Sequence, residues 1–104
     1  LSSAVIVGGR LAVTGPQVIT ANTTAVSGAF LTVKTAGITI TLPASPAVGS
    51  FVIVKDGTGA AATSSFTVAR NGSNIASSAT NLTFDVDFGQ ITLTYVDATI
   101  GWSV

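Results

Sequence analysis

A chain of 104 residues suits one domain, long enough to bury a core without metal or disulfide support. It contains no cysteine, histidine, methionine or glutamate, which excludes disulfide frameworks, thiolate metal and redox sites and every histidine-based catalytic set. Only 8% of its residues are charged, against about 25% in ordinary domains, while 47% are hydrophobic and the formal net charge is zero. A surface this neutral favours self-association, so part of it is expected to lie against another subunit. The alternative is a neutral surface rich in Thr, Ser and Ala, of the kind extracellular β-proteins carry. Four basic residues balanced by four acidic ones give no electrostatic footprint for nucleic acid.

The chain begins Leu-Ser-Ser-Ala-Val-Ile-Val-Gly-Gly-Arg10, without an initiator methionine. This stretch has neither a basic n-region nor an apolar run long enough to span a bilayer. The expectation is a fragment or processed product of a longer protein, with no membrane insertion. Ala4 to Val7 and Leu11 to Val13 read as short strands, or as an arm that packs on a neighbouring subunit. The turns at Gly8-Gly9 and Thr14-Gly15-Pro16 close them. Gly8-Gly9 before Arg10 is no phosphate loop, because neither G-x-G-x-x-G nor a following helix is present. Residues 1–21 are therefore assigned to an arm or first strands, and residues 22–104 to the folded domain.

Gln17 to Ala21 is the next predicted strand, followed by a loop over Asn22 to Gly28. Ala29 to Thr35 and Ile38 to Leu42 read as two strands joined by a hairpin at Ala36-Gly37. Pro43 ends the second, since it cannot donate to a ladder. Phe51 to Lys55 is apolar on both faces, which places it inside a sandwich or at a subunit contact. Asp56-Gly-Thr-Gly59 is a turn in which Asp56 caps its own backbone. Phe66 to Arg70 is a strand that ends at Asn71-Gly72, a strong signal for a turn with two positive φ angles. Ile75 is a lone apolar anchor.

From Asn81 to Phe88 apolar and polar residues alternate: Leu82, Phe84, Val86 and Phe88 against Thr83, Asp85 and Asp87. The period of two predicts one strand with a buried and a wet face. Gln90 to Asp97 and Thr99 to Val104 follow as further strands. No stretch repeats apolar residues at helical spacing, and β-branched residues abound. The prediction is an all-β fold: a single antiparallel β-sandwich or flattened barrel of about eight to ten short strands, with no substantial helix.

The chemistry-bearing groups are few. Asp85 and Asp87 share a strand face, yet paired carboxylates on a wet face are ordinary solubilising groups and lack the oxygen cluster that calcium needs. Asp56-Gly-Thr-Gly59 offers a single carboxylate. Neither metal nor cofactor is expected, nor an enzyme. Three N-x-S/T sequons stand at Asn22, Asn71 and Asn81, in a chain rich enough in Ser and Thr to produce them by chance. The surface candidates for contacting a partner or a glycan are Asp56, Arg70, Asn71, Tyr95 and Trp102. Aromatic rings stack on sugars, although Trp102 shares a strand face with Ile100 and Val104 and has a packing role as its alternative.

From Thr39 onward the chain resembles a small β-domain that recurs in bacteriophage virion proteins, among them tail fibres, tailspikes and head fibre or decoration proteins. The residues that carry the resemblance are Thr41-Leu-Pro-Ala-Ser-Pro-Ala-Val-Gly49, Val54-Lys-Asp-Gly-Thr-Gly59, Phe66-Thr-Val-Ala-Arg-Asn-Gly72 with Ile75, and Leu93-Thr-Tyr-Val-Asp97 with Gly101-Trp102. The resemblance implies a trimerising module on the virion surface with a structural or adhesive role. The expected function is thus a homotrimeric surface module of a phage fibre or spike, in contact with other virion proteins and in a position to touch a host surface glycan. The alternatives are a capsid decoration or head-fibre protein that stabilises the shell and, from another class, a carbohydrate-binding module of a secreted bacterial protein.

Overall fold

The computed structural model describes residues 5–7, 10–12 and 17–104. Eleven strands follow one another in these residues: β1 (Val5–Val7), β2 (Arg10–Ala12), β3 (Gln17–Ile19), β4 (Thr23–Thr24), β5 (Phe30–Val33), β6 (Thr39–Thr41), β7 (Phe51–Asp56), β8 (Phe66–Ala69), β9 (Leu82–Phe84), β10 (Gln90–Asp97) and β11 (Gly101–Ser103). No helix occurs among the described residues. The all-β expectation holds. β1 and β2 pair antiparallel in a sheet of their own. The turns expected at Gly8-Gly9 and Thr14-Gly15-Pro16 lie outside the described residues.

The other nine strands form two sheets that share one core. One sheet has the order β11-β10-β7-β5-β3 and the other β4-β6-β8-β9. From β3 to β8 each successive strand crosses to the opposite sheet. β3, β5 and β7 therefore stack in parallel on one side, and β4, β6 and β8 on the other. Up to β8 the chain winds as a flattened coil. Beyond it the pairing becomes antiparallel, β9 with β8 and β10 with β7 and β11. The sheets are thus mixed, where an antiparallel sandwich was expected. Parallel neighbours need a long crossover, and here each crossover is a strand of the facing sheet in place of a helix. Ala36-Gly37 accordingly joins the two sheets as an arch, with Gly37 N–H donating to the Ser65 carbonyl (3.0 Å), and not as a hairpin within one sheet. β3 belongs to the larger sheet, so the two-sheet body begins at Gln17 and not at residue 22.

The core is what the strand alternation dictates. Leu31, Val33, Val52, Val54 and Leu93 point inward from the larger sheet, and Ile40, Phe66, Val68 and Phe84 from the smaller, all fully or almost fully buried. Each such side chain contributes about 1.5–3 kcal/mol through removal from water. Phe66 and Phe84, opposite each other across β8 and β9, stack with ring centroids 4.7 Å apart. Ile75 is buried as anticipated.

The run from Asn81 to Phe88 does not stay a strand. β9 ends at Phe84, and Val86 and Phe88 are exposed. The chain must leave the smaller sheet and enter the larger one within these residues. It does so by a turn in which Gly89 N–H donates to the Val86 carbonyl (3.0 Å) and Phe88 takes a φ of 52°. Alternation in sequence carries no mark of such a change of sheet.

Candidate functional site

Asp56 ends β7 and is wholly buried. Its carboxylate accepts hydrogen bonds from the Thr58 N–H (2.9 Å) and hydroxyl (2.7 Å), and from the N–H groups of Gly59 (3.0 Å), Ala61 (3.3 Å) and Phe88 (3.0 Å). Burial pushes the carboxyl up, but the donors from Thr58, Phe88 and Ala61 outweigh it and hold the pKa down at about 2. The group is a charged hub that folds the Asp56–Ala61 loop around itself and ties it to the turn before β10. The Phe88 ring covers Gly59, where a Cβ would run into it. Lys55 donates to the Phe88 carbonyl (2.9 Å) with its ammonium 5.9 Å from the ring centroid. As a surface contact for a partner or glycan Asp56 is corrected: no part of it reaches solvent.

Trp102 needs the same correction. It is fully buried, edge-on to Tyr95 with centroids 5.6 Å apart. Its indole N–H finds no hydrogen-bond partner among the described residues. Tyr95 is half-buried and packs against the core. Asn74 to Ser77 runs along the outer side of β11: Trp102 N–H donates to the Asn74 carbonyl (2.8 Å), Ala76 N–H to the Trp102 carbonyl (2.8 Å), and Ser77 N–H to the Ile100 carbonyl (2.9 Å). That approach is why residue 101 is glycine, since a Cβ there would meet the Asn74 backbone.

Arg70 and Asn71 begin the same loop. Asn71 and Gly72 both take positive φ (49° and 89°), the geometry anticipated for this pair, with Ser73 N–H closing the turn on the Arg70 carbonyl (3.2 Å). The Arg70 guanidinium donates to the Ser73 carbonyl (3.2 Å), and the Asn71 amide to the Leu42 carbonyl (3.0 Å). The sequon asparagines share this occupation: Asn22 accepts from the Thr39 N–H (2.9 Å) and Asn81 from the Arg70 N–H (3.0 Å). All three serve backbone groups beside strands.

The five candidate residues do not form one site. Arg70, Asn71, Tyr95 and Trp102 belong to one end of the molecule, joined by the Asn74–Trp102 contact. Asp56 faces Gly89, six residues along β10 from Tyr95, which is roughly 20 Å of extended chain. Among the described residues no group of three or more carboxylates gathers as a metal site would require.

The structure instead brings forward a surface that reading by individual residues passes over. The outward face of the larger sheet carries Val18, Phe30, Phe51 and Ile53, with Thr32, Thr92 and Thr94 on the same face as register partners of Val18, Ile53 and Phe51. Phe30 and Ile53 are register partners, and Phe51 and Val18 are 42% and 66% exposed. Lys55, on the same side of β7, is turned to the Phe88 carbonyl. The two-sided apolar character of Phe51 to Lys55 signalled this face in the sequence. A second feature is an apolar cleft of about 200 Å³ at the flank between β9 and β10, floored by Leu82, Phe84, Val86 and Ile91 with Asp85 on its rim. No family model matches the chain, and no curated protein matches it.

Proposed function

We propose that this chain is a non-enzymatic structural module of a bacteriophage virion, a homotrimeric domain of a fibre or spike carried on the particle surface. The observation that carries the reading is the apolar outward face of the larger sheet. Phe30, Phe51, Ile53 and Val18 on a chain with 8% charged residues are what a subunit interface requires. The sequence resemblance to virion surface domains points the same way. The side chains that would have served a sugar site, Trp102 and Asp56, are committed to the interior, so the virion reading stands ahead of the carbohydrate-binding one. Light scattering of the chain at micromolar concentration tests the assembly. Three copies per particle are expected, and a stable monomer overturns the proposal.

A further inference from the structure

Two places in the chain set an Asp or Asn before a glycine: Asp56-Gly57 and Asn71-Gly72. In such a pair the glycine nitrogen can attack the carbonyl carbon of the preceding side chain and close a five-membered imide, because no Cβ on the glycine obstructs the approach. The fold treats the two pairs differently. At Asp56 the reaction is closed. The carboxylate is buried and accepts from Thr58, Gly59, Ala61 and Phe88. The Gly57 N–H donates to the Val33 carbonyl (2.8 Å), and a Cβ on Gly57 would run into the Thr32 side chain. At Asn71 these restraints are missing. Asn71 and Gly72 are exposed. The Gly72 N–H has no hydrogen-bond partner among the described residues. Nothing lies within 4 Å of the position a Cβ would take on Gly72. The Asn71 side chain is held by the bond its amide donates to the Leu42 carbonyl (3.0 Å).

We propose that Asn71 is a site of spontaneous deamidation in the folded protein. The Gly72 nitrogen bonds to the Asn71 side-chain carbonyl carbon, and the bond from that carbon to Nδ2 breaks. Nδ2 leaves as ammonia with the proton from the Gly72 nitrogen. Water then opens the imide at either carbonyl and leaves aspartate or isoaspartate. Neither product keeps the turn as it stands. A carboxylate has no proton to donate to the Leu42 carbonyl and sets its charge against that oxygen. Isoaspartate also adds a methylene to the main chain where Asn71 and Gly72 both hold positive φ. The loop that follows carries the change to the core. The Trp102 N–H donates to the Asn74 carbonyl (2.8 Å), the Ala76 N–H donates to the Trp102 carbonyl (2.8 Å), and Trp102 is fully buried. Deamidation at Asn71 therefore loosens the hold of this loop on β11. It also gives a chain of zero formal net charge an unbalanced negative one. The inference is independent of the assembly reading.

Incubation of the folded full chain in mildly alkaline buffer, followed by isoelectric focusing and peptide mapping, tests it. An acidic form should accumulate, with conversion at Asn71 exceeding conversion at Asn22, Asn74 and Asn81 and isomerisation at Asp56 by at least about tenfold. In the aged form the Trp102 and Ala76 amides should exchange faster than in the fresh one, while the Val54 and Leu93 amides keep their rates. Asn71→Asp should reproduce that change without ageing. A folded chain in which Asn71 converts no faster than Asn74, or in which Asp56 isomerises as fast as Asn71 converts, overturns the assignment. Conversion confined to the denatured chain overturns it too. Conversion that leaves the Trp102 and Ala76 amides unchanged overturns the link to β11.

Discussion

The two sheets are built from the same kind of strand but differ in their outer faces. On the larger sheet, Phe30 lies beside Ile53, with Phe51 and Val18 nearby, so apolar side chains stand among Thr32, Thr92 and Thr94. On the smaller sheet, Thr39, Thr67 and Thr83 form a register row across β6, β8 and β9, with Thr24 beside Thr41. Threonine keeps the β-branched side chain that suits a pleated surface and leaves a hydroxyl for water. Inward, both sheets contribute aliphatic and aromatic residues to a single core. The threonine face is a surface suited to water, and the face with Phe30, Phe51, Ile53 and Val18 is the one proposed to lie against another copy.

Both faces depend on the core beneath them. Trp102→Ala empties a fully buried site and should cost about 3–5 kcal/mol, lowering thermal stability and weakening both faces together. Trp102→Phe should cost clearly less, because it also removes an indole N–H that has no partner among the described residues. Chemical denaturation of the two variants measures the difference. Asp56→Asn comes next. It replaces a carboxylate that accepts from Thr58, Gly59, Ala61 and Phe88 with a weaker acceptor, a loss of about 3 kcal/mol. This change acts on the larger sheet alone, at the junction of β7 and β10.

Acid probes the same hub. With its folded pKa depressed to about 2, Asp56 contributes stability that is fully present above the ordinary carboxylate pKa and is lost as pH falls from about 4 through about 2. The loss is about 2 kcal/mol. Denaturant midpoints at pH 5 and pH 2 should show it in the native chain, and Asp56→Asn should flatten that part of the profile. The smallest effect belongs to the threonine face. Thr67→Val, half-buried in the middle of that sheet, should shift stability by only about 0.5 kcal/mol in either direction and leave the mass in solution unchanged.

Much of the strand inventory was legible in the sequence, because a period of two is a local property. Phe84 is buried on the face where alternation put it, with Leu82 packed against the core beside it, and Asn71-Gly72 turns as its composition demands. What alternation cannot carry is which strand lies next to which. Ile38 to Leu42 has the same pattern whether it pairs with the preceding strand or crosses to the facing sheet, so the parallel coil was invisible and Ala36-Gly37 read as a hairpin. The same blindness extended the strand through Val86 and Phe88, whose exposure follows from the crossing between sheets and from the pull of Asp56 on the Phe88 N–H. The candidate site was the least legible part. Asp56, Arg70, Asn71, Tyr95 and Trp102 drew notice as polar or aromatic groups in turns and end strands. In the fold, Asp56 and Asn71 bond backbone groups, and Trp102 and Tyr95 pack together. The apolar face announced itself only through the unbroken run Phe51 to Val54.

The most direct measurement is the mass in solution of three chains: the native one, Phe51→Asp with Ile53→Asp on the apolar face, and Thr67→Asp with Thr83→Asp on the threonine face, each checked for retained strand content. Three copies are expected for the native chain and for the threonine-face variant, and a folded single copy for the apolar-face variant. A native chain that is monomeric at micromolar concentration, or an apolar-face variant that still assembles as the native chain does, would contradict assembly through the apolar face.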